Sequence, residues 1–324
     1  MSFRGIKGQD RVIAFLKEAI KNSRIAHAYL FLGPEGVGKK TTALNFAKAI
    51  NCSSLTEDGP CDACDSCRKI DSRNHPDIFT VEPEKKGGSI KIDRIRELIR
   101  KTGFKSYEGR KKVSIIDSAD SMTEEAANAI LKTLEEPPPE SVFILIAENL
   151  SYIFPTIRSR SEIIKFYPLG IDEIKRVLLS EYKIDEVKAH ILSHLSSGSL
   201  GRALRLKETD IFERREMLLE SLEKEAFLDL DFDNLSREEL ILDLDIILTW
   251  YRDIMTAKIG NEDGAFFINI DRADALRKKA GESEEAKIEG VINQIISTGY
   301  FLEQNANQKL AMSVLGLKLQ EAKA

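Results

Sequence analysis

Apolar positions in the first half of this chain follow two alternating rhythms. Short β-rich runs at Tyr29–Leu32, Ile78–Val81, Lys112–Ile116, Val142–Ala147 and Glu162–Phe166 predict strands. Between them, Arg11–Lys21, Lys39–Ile50, Asp93–Lys101 and Thr123–Glu135 carry helical spacing. Strands separated by helices predict a parallel sheet with helices on both faces, an α/β domain. Pro137-Pro138-Pro139 stops the fourth helix, because proline lacks the N–H and clashes with the preceding turn. After Pro168 the strand signals end, and Ile171–Tyr182, Glu186–Leu195 and Leu200–Leu206 predict a small helical bundle the size of a lid. From about residue 208 onward the pattern is helical throughout. Ser236-Arg237-Glu238-Glu239 is a capping box, followed by Leu240, Leu244, Ile247, Tyr251 and Ile254 on one helical face, with Gly260 as a stop. A last helix pair covers about Glu284–Gln304 and Gln308–Leu319. Three domains are expected, over residues 1–167, 168–207 and 208–324.

Composition narrows the setting. The 42% hydrophobic and 31% charged residues exclude a disordered chain. The longest aliphatic run, Val142–Ala147, is far shorter than a membrane span. The opening MSFRGIKGQD lacks the apolar core of a secretion signal, so a cytoplasmic location is expected, with no membrane partner. A net charge of −5 argues against a generic DNA-coating protein, and any nucleic-acid contact would come from a local patch or from partners. Lys105, Arg110, Lys111 and Lys112 are one such patch, which a basic surface loop explains equally well.

Chemistry enters at Gly33-Pro34-Glu35-Gly36-Val37-Gly38-Lys39-Lys40-Thr41, between a predicted strand and a predicted helix. The spacing is that of a P-loop: Gly33, Gly36 and Gly38 let backbone N–H groups wrap phosphate oxygens, and Lys39 reaches the terminal phosphates. The hydroxyl that should follow the lysine and hold Mg²⁺ is replaced by Lys40. Thr41 comes one place late, turned by roughly 100° around the helix. Asp117 ends an apolar strand, as a second Mg²⁺ ligand does, or else simply caps that strand. Ser118 stands where a hydrolysing enzyme would carry glutamate to orient water, and serine cannot accept that proton at neutral pH. ATP hydrolysis by this chain alone is not expected; ATP binding is left open.

Cys52, Cys61, Cys64 and Cys67 are all the cysteines of the chain and form C-x8-C-x2-C-x2-C. Paired C-x2-C turns bring thiolates tetrahedrally around one ion, and Gly59 and Pro60 supply turn chemistry. Four ligands leave no place for water, so the expected cofactor is structural zinc, held in a module over residues 52–67. A disulfide pair or four unrelated buried cysteines are the competing readings.

Several segments together resemble bacterial clamp-loader subunits of the AAA+ class. They are His27–Phe31 before the P-loop, the cysteine knuckle after its helix, and Glu125–Pro137, which reads EAANAILKTLEEP. Pro155–Ser161 resembles their Ser-Arg-Cys motif with serine in the cysteine position, and Asn305–Ala311 resembles the opening of their last collar helix. The resemblance implies a ring of subunits joined by the C-terminal collar, with ATP at subunit junctions. It implies motor and delta-type subunits as partners, together with the sliding clamp and primed DNA. It also makes Arg160 an arginine finger acting in trans on a neighbour's nucleotide; a surface arginine paired with a carboxylate is the alternative. Two departures point to a nonhydrolysing member. In Gly198-Ser199-Leu200-Gly201-Arg202 a glycine takes the place of the sensor arginine, and Glu148 occupies the polar sensor position.

Three functions therefore compete: a nonhydrolysing clamp-loader subunit, an ATP-hydrolysing motor subunit of the same loader, and a zinc-dependent DNA-binding regulator with a vestigial P-loop. Lys40 and Ser118 oppose the second. The absence of a recognisable basic recognition helix opposes the third.

Overall fold

A computed structural model describes residues 3–85, 87–224, 226–232, 234–260 and 266–321. They divide into two compact units, Met1–Glu173 with Gly198–Arg202, and Ile174–Ser197 with Ala203–Ala324.

The first unit is built from α1 (Asp10–Lys21), β1 (Ala28–Leu32), α2 (Lys39–Asn51), α3 (Asp65–Asp71), β2 (Ile78–Val81), α4 (Ile92–Thr102), β3 (Lys112–Ile116), α5 (Glu124–Glu135), β4 (Ser141–Ala147), α6 (Pro155–Arg158) and β5 (Glu162–Lys165). The strands form one sheet in the order β2-β3-β4-β1-β5, and every pairing is parallel. Alternation along β1 divides its side chains between two cores, as the period-two geometry of a strand requires. Tyr29 and Phe31 face α1 and α2, meeting Leu16, Ala43 and Phe46. Ala28 and Leu30 join Ile95 and Leu98 of α4 and Ile130 and Leu134 of α5 on the other face. Central β4 is buried at all seven positions, which is why Val142–Ala147 reads as an unbroken apolar run. This arrangement is the α/β P-loop sheet expected from the sequence.

That strand order fixes where the chemistry lies. β4 separates β1 from β3, so the loops leaving the carboxyl ends of β1, β4 and β3 sit side by side. These loops carry the P-loop, Glu148 and Asp117, in the crevice where open parallel sheets bind ligands.

The second unit is helical: α7 (Ile171–Ser180, its first residues in the first unit), α8 (Glu186–Leu195), α9 (Leu200–Lys207, likewise), α10 (Ile211–Glu223), α11 (Arg237–Lys258), α12 (Ala273–Glu282), α13 (Glu285–Glu303) and α14 (Gln308–Glu321). The capping box is formed: Ser236 Oγ accepts from Glu239 N at 3.3 Å and Ser236 N donates to Glu239 Oε2 at 2.7 Å. Gly260 takes a φ of +98° just past α11, a left-handed stop that costs glycine no Cβ clash. Trp250 is buried and packs in this unit. A buried Asp253 accepts from Ile268 N, Asn269 N and Asn269 Nδ2, fixing the approach to α12. Among the described residues no helix is long and apolar enough to cross a membrane.

Candidate nucleotide and metal sites

Gly38 caps α2 with a φ of +96°, a conformation that lets the loop turn its amides inward. Gly33 lies so close to Phe166 that a Cβ would strike its carbonyl oxygen. Gly36 meets Gly201 backbone to backbone: Gly201 N donates to Gly36 O at 3.0 Å, and a Cβ on Gly201 would come within 2.9 Å of Gly36 Cα. This contact explains a glycine at position 201, since a side chain there would push the P-loop away.

Lys39 is buried and donates to the carbonyls of Gly33 and Pro34. Burial lowers its pKa, against the opposing pull of Glu148, Asp120, Asp117 and Glu35. Glu148 is shifted the other way: burial raises its pKa, aided by the neighbouring carboxylates and opposed by Lys39. Asp120, at the exit of β3, accepts from the backbone of Glu148 and Asn149 at 2.7 and 3.1 Å and so fixes the end of β4.

Lys40 Nζ pairs with Glu82 and lies 3.0 Å from Asp117 Oδ2. Burial acts to lower its pKa, yet hydrogen bonds and charge from the two carboxylates outweigh it and hold the ammonium above its ordinary value. Ser118 adopts a left-handed backbone and its carbonyl accepts from Ser121, so this residue turns the chain. The sequence pattern places Asp117 beside the P-loop but does not point to Glu82. A carboxylate directly after β2, mirroring Asp117 directly after β3, is the signal that could have found it. Thr41 lies on the first turn of α2, half-buried, and Asp117 contacts Lys40 instead. A cavity of about 230 Å³ opens beside Lys40 and Glu82, walled by Leu44, Ile70, Ile78 and Ile115.

The four cysteine sulfurs all lie within 4.8 Å of one another. Cys52 Sγ is 3.5 Å from Cys61 Sγ and 3.9 Å from Cys64 Sγ. Sulfurs placed tetrahedrally at about 2.3 Å from zinc are roughly 3.8 Å apart, so the cluster has the dimensions of a four-thiolate zinc site. No disulfide joins any of them. Burial pushes the thiols of Cys52 and Cys67 up. Backbone donors pull Cys61 down, and at Cys64 burial is outweighed by donors from Cys67 and Ser53, lowering it to about 6. Cys52 ends α2 and Cys67 lies in α3, so the cluster hangs on the helix that starts at the P-loop. Lys48, on that helix and 1% exposed, pairs with Asp62 and, at 2.8 Å, with Asp71, tying the knuckle at both ends.

The chain matches the family described as DNA polymerase III, delta subunit, over residues 8–170. It is 34% identical to the DNA polymerase III subunit delta' of Bacillus subtilis over 97% of this chain and 96% of that one. The chain belongs to the delta-prime clamp-loader family. Within that family its carboxylates at Asp117 and Glu82, its P-loop lysines and its cysteine cluster all lie in the first unit. The DNA polymerase III subunit tau of Bacillus subtilis is 33% identical, over only 64% of this chain and 38% of its own. A solved gamma-subunit-related protein from Thermotoga maritima aligns with 96% of this chain and 99% of that one at 19% identity and a TM-score of 0.44.

Arg160, in the segment that resembles the family's arginine motif, follows α6. Its guanidinium pairs with Glu135 Oε1 at 2.6 Å and donates to Thr156 O at 3.0 Å. Glu135 closes α5 in the EEP stretch, so two motifs that are separate in the sequence meet here. The basic patch near residue 105 is built differently from a free loop. Lys112 is buried, Lys111 pairs with Glu140, and buried Asp77 accepts from the backbone of Tyr107, Glu108 and Gly109 at 2.7–2.8 Å. Phe104 and Tyr107 project from that clamped loop, with Tyr107 83% exposed.

Proposed function

We propose that this delta-prime family member is a nonhydrolysing clamp-loader subunit that helps load the sliding clamp onto primed DNA and lends Arg160 to a neighbour's ATP site. The observation that carries the reading is at the metal position of the P-loop. Asp117, the carboxylate that would hold Mg²⁺, is engaged by Lys40, and the water-orienting glutamate is replaced by Ser118. Gly201, packed on Gly36, removes the lid arginine as well. The zinc module then serves folding alone, since four thiolates leave no open position on the ion. Arg160 is half-exposed on the surface, where a neighbour's phosphate would compete with Glu135 for it.

Assembly with motor and delta-type subunits runs, on this reading, through the collar formed by residues 208–324. Its support is an apolar stripe left in solvent: Leu310, Val314 and Leu317 on α14, with Ile296 and Tyr300 on α13, repeat at helical spacing. On this reading the chain divides into residues 1–167, 168–207 and 208–324, as the change from strand to helical signals suggests, and works in the cytoplasm. The test is steady-state ATP hydrolysis by the isolated chain, and then by the loader reconstituted with wild-type or Lys39→Ala protein on primed DNA. Turnover by the isolated chain that disappears with Lys39→Ala would assign the motor role instead.

A further inference from the structure

The parallel register of β2 and β3 pairs Val81 with Ile116, and Asp117 N donates to Val81 O at 2.8 Å. The next residue of each strand is a carboxylate, Glu82 on one and Asp117 on the other. Two like charges side by side at the carboxyl edge of the sheet repel, and a cation between them relieves that repulsion. Mg²⁺ meets such a need with one or two carboxylates and several waters at about 2.0–2.1 Å. Here the cation comes from the chain. Lys40 reaches across from the first turn of α2 and places its ammonium against both carboxylates.

We propose that the Lys40 ammonium is a built-in substitute for the divalent cation of a P-loop site, so that Glu82 and Asp117 are neutralised without Mg²⁺ and the metal is kept out. Three features agree. The one ammonium meets Glu82 and Asp117 together, each the first residue after its strand. Lys40 stands at the position from which a serine or threonine hydroxyl would reach the metal. A lysine point charge 3.0 Å from Asp117 Oδ2 pairs with that oxygen, so a hydrated ion binding there would have to displace the ammonium. The inference rests on the nonhydrolysing reading, but its test uses Mn²⁺ alone with no nucleotide, so the two fail separately.

The experiment is titration of the zinc-replete full chain with MnCl₂, following free Mn²⁺ by electron paramagnetic resonance. Any Mn²⁺ uptake by the wild-type protein should be unchanged by Asp117→Asn. Lys40→Thr removes the ammonium and supplies the hydroxyl. It should gain one site at least about tenfold tighter than any in the wild type, because two uncompensated carboxylates now face each other. Adding Asp117→Asn to Lys40→Thr should abolish that site. Thermal unfolding gives a second readout: the Lys40→Thr midpoint should rise with Mn²⁺ while the wild-type midpoint does not. Wild-type Mn²⁺ binding that vanishes in Asp117→Asn overturns the proposal, and this arm needs no destabilised variant. A folded Lys40→Thr protein that binds no more Mn²⁺ than wild type overturns it equally.

Discussion

Arg160 is held within its own chain by Glu135 and by the carbonyl of Thr156, both near the surface. An exposed ion pair of this kind contributes little to stability, on the order of 0–1 kcal/mol. Arg160→Ala should therefore leave the thermal midpoint, zinc content and assembly of the chain unchanged. In the reconstituted loader it should lower DNA-stimulated ATP hydrolysis at one junction; a trans arginine is worth roughly 10³–10⁵ in other phosphoryl-transfer sites. The visible fall will be smaller, because the other junctions keep their own arginines. Equal hydrolysis and equal clamp loading at matched assembly would reduce Arg160 to a surface residue. Asp77 makes the opposite case: it is fully buried, and three backbone donors outweigh its burial to hold its carboxyl below the usual range. A depressed folded pKa means its contribution is present above the unfolded value of about 3.9 and is lost as pH falls below it. Asp77→Asn should cost about 1–3 kcal/mol near neutral pH, with the gap to wild type closing below about pH 4. A pH-independent gap in denaturant unfolding would contradict this assignment.

At the scale of elements, the four-cysteine module is the most local unit of the protein. Its cysteines span Cys52 to Cys67, and its ties to the rest of the unit include Lys48 with Asp62 and Asp71 and Arg4 with Asp58. Cys64→Ser should lose stoichiometric zinc by elemental analysis and loosen the segment around α3 in hydrogen exchange before the sheet. A Cys64→Ser protein that keeps its zinc would remove the four-cysteine assignment. The sequence made this cluster legible because cysteine spacing carries ligand geometry directly. Strands were legible for a related reason: β1 and β4 are buried on both faces and read as apolar runs. Seven-residue α3 was not, since a single turn or two inside a knuckle shows no periodicity. The burial of Lys48 left no trace in the sequence, because its partners lie 14 and 23 positions away. Glu82 lies 42 positions from Lys40, so its place directly after β2 was the one signal of it in the sequence. Asp253 and Asn269 also meet only in the folded chain. Pairings set by tertiary contact leave no local pattern to read.

At the scale of the whole molecule, the two units divide the work. The first holds the P-loop, the cysteine cluster and Arg160, and the second presents the apolar stripe of α13 and α14. If that stripe joins the collar, Leu310→Asp with Val314→Asp should leave the chain folded by circular dichroism, because both side chains are already in solvent. It should nonetheless prevent co-elution with the motor and delta-type subunits in size exclusion. Normal assembly would move the interface elsewhere on the chain. The central claim, that this chain works in the loader without hydrolysing ATP itself, has a direct test. Purified zinc-replete protein is assayed for steady-state ATP turnover with Mg²⁺, alone and beside its Lys39→Ala variant. The account predicts background rates for both, with clamp loading by the reconstituted complex unaffected by Lys39→Ala. Turnover above background that Lys39→Ala abolishes would contradict it.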